Sequence, residues 1–428
     1  MVQTQELGTL CLHAGWTPKK GEPRQLPIYQ STTFKYDNSD QMARLFDLEE
    51  TGYFYSRLQN PTCDSVAAKI ATLEGGVATM LTSSGQSASF FAVFNIAEAG
   101  DHIISTNTIY GGTFNLFGVT LKKMGIECTF VDPESSDEEI QAAFRPNTKL
   151  VFGETISNPS GHVCDIERWA RLAHSNGVPL IIDNTFATPV LCRPIEWGAD
   201  IVIHSTTKYM DGHGSAVGGC IVDSGKFDWG AHAEKFPGLC TPDESYHGLI
   251  YCETFGAAAY LVKATTQLMR DLGCCQSAQS AFVLNLGLES LHLRMRKHAD
   301  NAQKIAEFLV ADERVAWVNY AGLPDNKNYA LAQKYLPLGG CGVISLGLKG
   351  SREEAVRFMD ALQLISIVTH VADAKSCVLH PASHTHRQLT DEQLRAAGIA
   401  PDLIRLSVGI EEASDLIADI KQALNKTF

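Results

Sequence analysis

From residue 64 onward the chain alternates between two hydrophobic rhythms. Residues 64–73 place apolar side chains at helical spacing and stop at Gly75-Gly76, a C-terminal helix signal. Helical patterning returns at 86–98, 113–124, 138–144 and 166–174. Between these stretches lie short continuous apolar runs at 102–106, 128–131, 150–154, 180–183 and 201–203. Runs this short and this apolar predict strands buried on both faces, as in a parallel sheet. Their alternation with helices predicts repeated βα units with right-handed crossovers. The expected fold class is therefore α/β, with a mainly parallel sheet.

The flanking regions read differently. Residues 1–60 show no regular alternation, contain prolines at 18, 23 and 27, and read as an extended arm with few core positions of its own. Residues 221–280 are looser, with one helical stretch at 253–272. A long amphipathic helix is predicted over 281–310, and its basic residues at 294, 296 and 297 read as a solvated face. Beyond it, strands at 315–319, 343–348 and 403–408 and helices at 352–362, 391–397 and 413–424 form an α+β pattern. The expected organisation is an arm (1–60), a large α/β domain (61–280) and a smaller α+β domain (281–428).

Composition narrows the partners. A hydrophobic fraction of 45% and a charged fraction of 19% fit a chain with a large core. The net charge is −13 with no Lys/Arg run, which argues against nucleic acid. No apolar run approaches the roughly 20 residues that span a bilayer. The opening residues, MVQTQELGTLCLHAGW, lack a basic region followed by an apolar one, so the expected location is cytoplasmic. Twelve cysteines are scattered without a CxxC pair, so no zinc site is expected and the thiols read mostly as small core residues.

Candidate chemistry collects where the predicted strands end. In open α/β sheets, ligands bind outside the carboxyl ends of the strands. Tyr110, Asn158, Asp183 and Lys208 each follow a different predicted strand and so converge on one sheet edge. An acid and a lysine at that edge suit pyridoxal phosphate: the lysine forms the Schiff base and the acid pairs with the pyridinium nitrogen. The same two residues also suit a solvated acid and a surface lysine. The surroundings favour the first reading. Ser205 and Thr207 offer hydroxyls to phosphate oxygens, and glycines at 212, 214, 218 and 219 permit close backbone approach. Ser83-Ser84-Gly85-Gln86 opens a helix and reads either as an anion site or as an N-cap. Tyr55-Ser56-Arg57 reads either as a packed aromatic with a surface arginine or as a reach toward a phosphate across an oligomer interface.

With these residues in place, the chain resembles the pyridoxal-phosphate enzymes of cysteine and methionine metabolism, which include cystathionine synthases, cystathionine lyases and homoserine-ester sulfhydrylases. The resemblance runs from Tyr55-Ser56-Arg57 to Arg405. It is most specific in Asp183-Asn184-Thr185-Phe186-Ala187-Thr188-Pro189 and His204-Ser205-Thr206-Thr207-Lys208. It implies the aminotransferase-like type I fold. It makes Lys208 the cofactor lysine and proton shuttle and stacks Tyr110 on the ring. Asn158 then contacts the phenolic oxygen, and Asp183 keeps the ring nitrogen protonated. Gly85, Gln86, Ser205 and Thr207 hold the phosphate, joined by Tyr55 and Arg57 of a neighbouring subunit. Ser376 and Arg405, with Asn158, bind the substrate carboxylate. A homotetramer built from catalytic dimers is implied.

Within the family the chain looks most like the O-acetylhomoserine sulfhydrylase branch. That similarity rests on the segment after Lys208, with Phe236-Pro237 and Ser245-Tyr246-His247-Gly248, and on Asp373-Ala374-Lys375-Ser376 before His380-Pro381-Ala382-Ser383. It departs from the branch at Ala372, where glycine is expected, at Cys377 in place of leucine, and at His384 in place of threonine. The implied reaction is γ-replacement, turning O-acetylhomoserine and sulfide or a thiol into homocysteine or methionine. The alternatives are cystathionine γ-synthase or γ-lyase chemistry and a succinyl donor. A catalytically silent protein on this fold is expected to lack Lys208, Asp183 or Arg405, and all three are present. His204 is expected to cap a strand end and His213 to sit in a glycine turn. His380, His384 and His386 have no metal-like partner set in the sequence.

Overall fold

The computed structural model describes residues 5–384, 392, 400 and 402–428. Seven strands form the first sheet: β1 (Ala78–Thr82), β2 (His102–Thr106), β3 (Glu127–Val131), β4 (Thr148–Glu154), β5 (Leu180–Asp183), β6 (Ile201–His204) and β7 (Gly219–Asp223). Their spatial order is β1-β7-β6-β5-β4-β2-β3. The ladders from β3 through β6 are parallel, as the βα alternation predicts. β7 runs antiparallel to both of its neighbours, β6 and β1. The sequence pattern did not mark β1 or β7. β7 is five residues long, wholly buried, and follows a glycine cluster that reads as loop.

Side chains alternate between the two faces of this sheet. Ile104, Val151, Ile182, Val202 and Val222 pack into one core with Ile70, Trp169 and Leu288. Ile103, Phe152, Ile181, Ile203 and Ile221 pack into another with Phe91, Phe117 and Tyr260. Helices cover both faces, which is why the strands carry apolar residues at every position rather than at alternate ones.

The second sheet contains β8 (Val315–Asn319), β9 (Val343–Leu348), β10 (Ser366–Ile367), β11 (Cys377–Leu379) and β12 (Ile404–Ser407), in the order β10-β11-β12-β9-β8. Helices Arg352–Ala361 and Ala413–Thr427 cover it and share its core. The helix expected over 391–397 falls, apart from residue 392, outside the described residues. The long helix, Ala278–Ala311, serves two cores: Leu284, Leu288 and Met295 pack on the first, and Ile305, Ala306 and Leu309 on the third.

Three expectations need correction. The arm is not merely extended, because it holds helices Leu7–His13 and Ser39–Phe46. Cys11 and Leu26 of the arm are buried in the main core. Arg294 is not on a solvated face: it is buried and donates to the carbonyls of Tyr209 and Gly287. The helix expected at 253–272 breaks at Gly256, whose φ of 53° no helix accommodates. Among the described residues no helix is long and apolar enough to cross a membrane.

Candidate active site

A cavity of about 290 Å³ opens at the carboxyl edge of the first sheet. Gly85, Gln86, Tyr110, Asn158, Asp183, Ser205, Thr207, Lys208 and Arg405 all line it. The carboxyl ends of β1, β2, β4, β5 and β6 and the segments that follow them deliver eight of these residues, and β12 of the second sheet delivers Arg405.

One end of the cavity suits an anion. Ser84 caps helix Gly85–Phe94, its hydroxyl accepting from the Ser87 amide at 3.1 Å. The first amides of a helix have no intrahelical acceptor. Gly85 packs directly against the Ser205 loop, where an added Cβ would stand 2.5 Å from the Ser205 Cβ. Ser205 faces the same space. The Thr207 hydroxyl is also engaged with Gly218, donating to its carbonyl at 3.1 Å and accepting from its amide at 3.0 Å.

The middle of the cavity is acidic. Asp183 ends β5, and its carboxylate accepts from both the amide and the hydroxyl of Thr185. The Thr185 hydroxyl in turn accepts from the Ser205 amide at 2.8 Å, locking the acid to the lysine loop. Glu154, which ends β4, stands beside it. Its carboxylate accepts from the Tyr110 amide at 2.7 Å and the Asn158 amide at 3.2 Å. Burial pushes both carboxyls up, and the neighbouring Asp183 pushes Glu154 further. No cation among the described residues pairs with Asp183. Glu154 is the residue that sequence reasoning passed over. The signal was available, since it is another acid closing an apolar run, like Asp183.

The far wall is cationic. Burial, followed by the nearby Arg405, holds the Lys208 ammonium below the usual lysine range. Arg405 is buried. It donates through Nη1 to Asn158 Oδ1 at 3.2 Å and through Nη2 to the His370 carbonyl at 3.1 Å. Its Nε is buried without a partner, and among the described residues no carboxylate neutralises it. Tyr110, half exposed, stands at the mouth.

Three expected site residues lie elsewhere. Ser376 is not in the cavity wall: it is buried, and its hydroxyl donates to Glu411 and accepts from the Gly409 amide. Tyr55 and Arg57 stack on each other, guanidinium to ring centroid 5.0 Å, in a surface groove away from Lys208. Within one chain they do not meet the phosphate end. His370, Thr369 and Val371 border Lys208 instead, and no sequence signal marked them.

Of the departures from the branch, Ala372 takes a left-handed φ of 64°, which explains the expected glycine. Cys377 is buried, with its thiol directed at the His370 carbonyl at 3.4 Å. His384 is described at the end of a turn, and His386 lies outside the described residues. His213 sits in the glycine turn as expected, its Nδ1 on the Asp211 carbonyl.

These groups fit one cofactor. An anion end, a buried acid without a cation and a lysine of lowered pKa match the phosphate, ring nitrogen and aldehyde of pyridoxal phosphate. Sheet, cavity and lysine define a pyridoxal-phosphate-dependent enzyme of the type I fold. The family model described as Cys/Met metabolism PLP-dependent enzyme matches residues 8–425, and the chain belongs to that family. It is similar to a homocysteine synthase from Schizosaccharomyces pombe, at 46% identity over 99% of each chain. It is also similar to an O-acetyl-L-homoserine sulfhydrylase from Corynebacterium glutamicum, at 46% identity over 96% of this chain and 95% of that one. A solved structure from Campylobacter jejuni superimposes with a TM-score of 0.95 and 38% identity, covering 98% of this chain and 100% of that one. That structure carries N'-pyridoxyl-lysine-5'-monophosphate.

Proposed function

We propose that the protein exchanges the γ-acetoxy group of O-acetyl-L-homoserine for sulfide, giving L-homocysteine and acetate, and accepts small thiols in place of sulfide. One observation carries the reading: a buried, unneutralised Arg405 lines the same cavity as Lys208 and the acids Asp183 and Glu154. The names of full-length relatives at about this level of similarity support the donor and product.

The bound cofactor supplies an electron-withdrawing ring that stabilises charge developing on the substrate carbons. The chain's residues do the rest. Arg405 takes the α-carboxylate, and Asn158, accepting from one guanidinium nitrogen, fixes the plane of the fork. Lys208 Nζ, once free, would remove first the Cα proton and then a Cβ proton, and would return one to each carbon after the γ-substituent is exchanged. Burial and the neighbouring Arg405 favour its neutral form, which is the form that can act as a base. Asp183 would pair with the ring nitrogen and keep it protonated, and Tyr110 would cover the ring.

The exposed Tyr55–Arg57 pair is read as completing the phosphate end of a neighbouring subunit in a catalytic dimer, two of which form a tetramer. Residues 1–60 act as the linking arm, 61–280 as the cofactor domain and 281–428 as the smaller domain. A cytoplasmic location fits the absence of a membrane-crossing helix among the described residues. The test is direct: supply O-acetylhomoserine with sulfide or with cysteine and measure homocysteine and cystathionine. Homocysteine is expected to dominate. Faster cystathionine formation would assign the chain to the cystathionine synthases instead.

A further inference from the structure

Among the twelve free cysteines, two stand together. Cys240 Sγ lies 3.2 Å from Cys252 Sγ, a hydrogen-bonding contact between half-buried thiols. Cys240 also directs its thiol at the Trp229 carbonyl, at 3.4 Å. A thiol carries one proton. With that of Cys240 on Trp229, the S–H between the two sulfurs belongs to Cys252, and Cys240 accepts it. Burial, followed by this hydrogen bond, pushes the Cys252 thiol up to about 12.

The backbone holds both sulfurs at the neck of a closed loop. Cys240 ends helix Pro237–Cys240, and Cys252 lies in the first turn of helix Tyr251–Phe255. Between them Asp243 and Leu249 form a bridge. The Asp243 amide donates to the Leu249 carbonyl at 2.8 Å, and the Gly248 amide donates to the Asp243 carbonyl at 2.9 Å. Tyr246 pins the loop from outside, its hydroxyl donating to the Thr266 carbonyl at 2.9 Å and accepting from Arg270 at 2.8 Å. The sulfurs need close by only about 1 Å to reach the bonding distance of about 2.05 Å, a shift of side-chain scale.

From this geometry we infer that Cys240 and Cys252 are a modification site, where a peroxide joins the two sulfurs in a reversible disulfide that clasps the loop between them. The inference is independent of the proposed γ-replacement, since neither residue lines the cavity. In the first step the Cys240 sulfur, its proton lost to water, attacks one peroxide oxygen. The O–O bond breaks, an S–O bond forms, and the departing hydroxide takes up a proton as water. In the second step the Cys252 sulfur attacks the Cys240 sulfur. The S–S bond forms, the S–O bond breaks, and hydroxide leaves with the Cys252 proton as a second water. The two thiols together lose two electrons, and the peroxide gains them. A dithiol reductant reverses the bond.

The test treats the holoenzyme with a modest excess of hydrogen peroxide, blocks the remaining thiols with iodoacetamide, and cleaves after glutamate without reductant. Glu244 lies between the two cysteines, with Glu234 and Glu253 outside them, so the two halves stay together only through sulfur. Mass spectrometry is expected to find the halves joined in most chains, and separate after dithiothreitol, with the visible cofactor band retained. Cys252→Ser removes the second sulfur. In that variant the joined species should vanish, and the Cys240 half should gain two oxygens as a sulfinic acid instead. If the variant loses its cofactor band, the wild-type measurement decides alone. The site is overturned if Cys240 and Cys252 are both recovered blocked after the exposed Cys274 and Cys275 have been oxidised. It is equally overturned if the joined halves appear only as the cofactor band is lost, because the bond would then belong to the unfolded chain.

Discussion

His204 Nε2 and Glu74 Oε1 meet at 2.6 Å, with both side chains fully removed from solvent. Glu74 ends helix Pro61–Glu74, and His204 ends β6, one residue before the lysine loop. Asn184, which follows Asp183, donates to the same carboxylate oxygen at 2.9 Å. A single buried acid thus ties the two segments that carry Asp183 and Lys208. Glu74→Ala leaves the buried His204 imidazole without its partner and Asn184 with only the Cys192 carbonyl, and is expected to cost about 1–3 kcal/mol. Denaturant unfolding of the holoenzyme measures it. If Glu74→Ala and His204→Ala losses simply add in the double variant, the coupling is absent.

Lys208→Ala is expected to abolish both turnover and the visible absorbance of the lysine-bound cofactor. An undiminished band in that variant is incompatible with the assignment. Asp183→Asn retains an acceptor for Thr185 but cannot pair with a cationic ring nitrogen. Losing one charge-assisted pair, worth about 1.5–3 kcal/mol, should weaken cofactor binding by roughly 10- to 150-fold, as read by fluorescence titration of the cofactor-free protein.

Arg405→Lys tests the fork. A lysine cannot bond Asn158 and the His370 carbonyl while presenting two parallel donors to a carboxylate. Steady-state kinetics should show kcat/KM falling by roughly 10- to 100-fold, mostly through KM. An unchanged KM would place the carboxylate elsewhere.

Asp223, on β7, sets a pH dependence of stability. Its Oδ2 is buried without a partner, and burial raises its pKa from the ordinary 3.8 to about 7. Between those values the folded chain keeps a proton that the unfolded chain has lost. Stability therefore declines as pH rises through that window, by on the order of a few kcal/mol, and stays lowered above it. Asp223→Asn removes the charge while keeping an acceptor for the Gly225 amide. It should flatten the decline, giving a higher melting temperature than wild type at pH 8 and a smaller difference at pH 5.

Ala372 holds a left-handed backbone whose amide donates to the Ser407 hydroxyl at 2.8 Å. Ala372→Gly relieves the strain and is expected to stabilise the fold by about 1 kcal/mol. A destabilised glycine variant would mean that the methyl group's packing outweighs the strain.

Of the strands that build the cavity, β2, β4, β5 and β6 were legible because each is buried on both faces and ends in a polar residue. Asp183, Asn158 and Tyr110 were found by that rule, and the lysine by the hydroxyl-rich turn around it. What escaped was long-range. β7 is too short and too close to glycines to stand out. His370 reaches Lys208 only because the second sheet docks beside the first, and nothing within 162 residues of sequence separation announces that contact. Ser376 illustrates the converse. A motif placed it at the substrate, yet Glu411 and Gly409 hold its hydroxyl inside the fold.

The antiparallel turn between β6 and β7 has a stereochemical consequence. Lys208 lies within that turn, where Gly212 donates to the Lys208 carbonyl, Gly218 bonds Thr207, and Arg294 holds the carbonyls of Tyr209 and Met210. The backbone cannot follow the amine when it is released, so only the four-carbon stem swings. In the proposed reaction, a base moving on so short an arm from a fixed post approaches a flat substrate carbon from one side. The handedness of the amino acid that leaves is thus set by a few main-chain hydrogen bonds, before any substrate arrives.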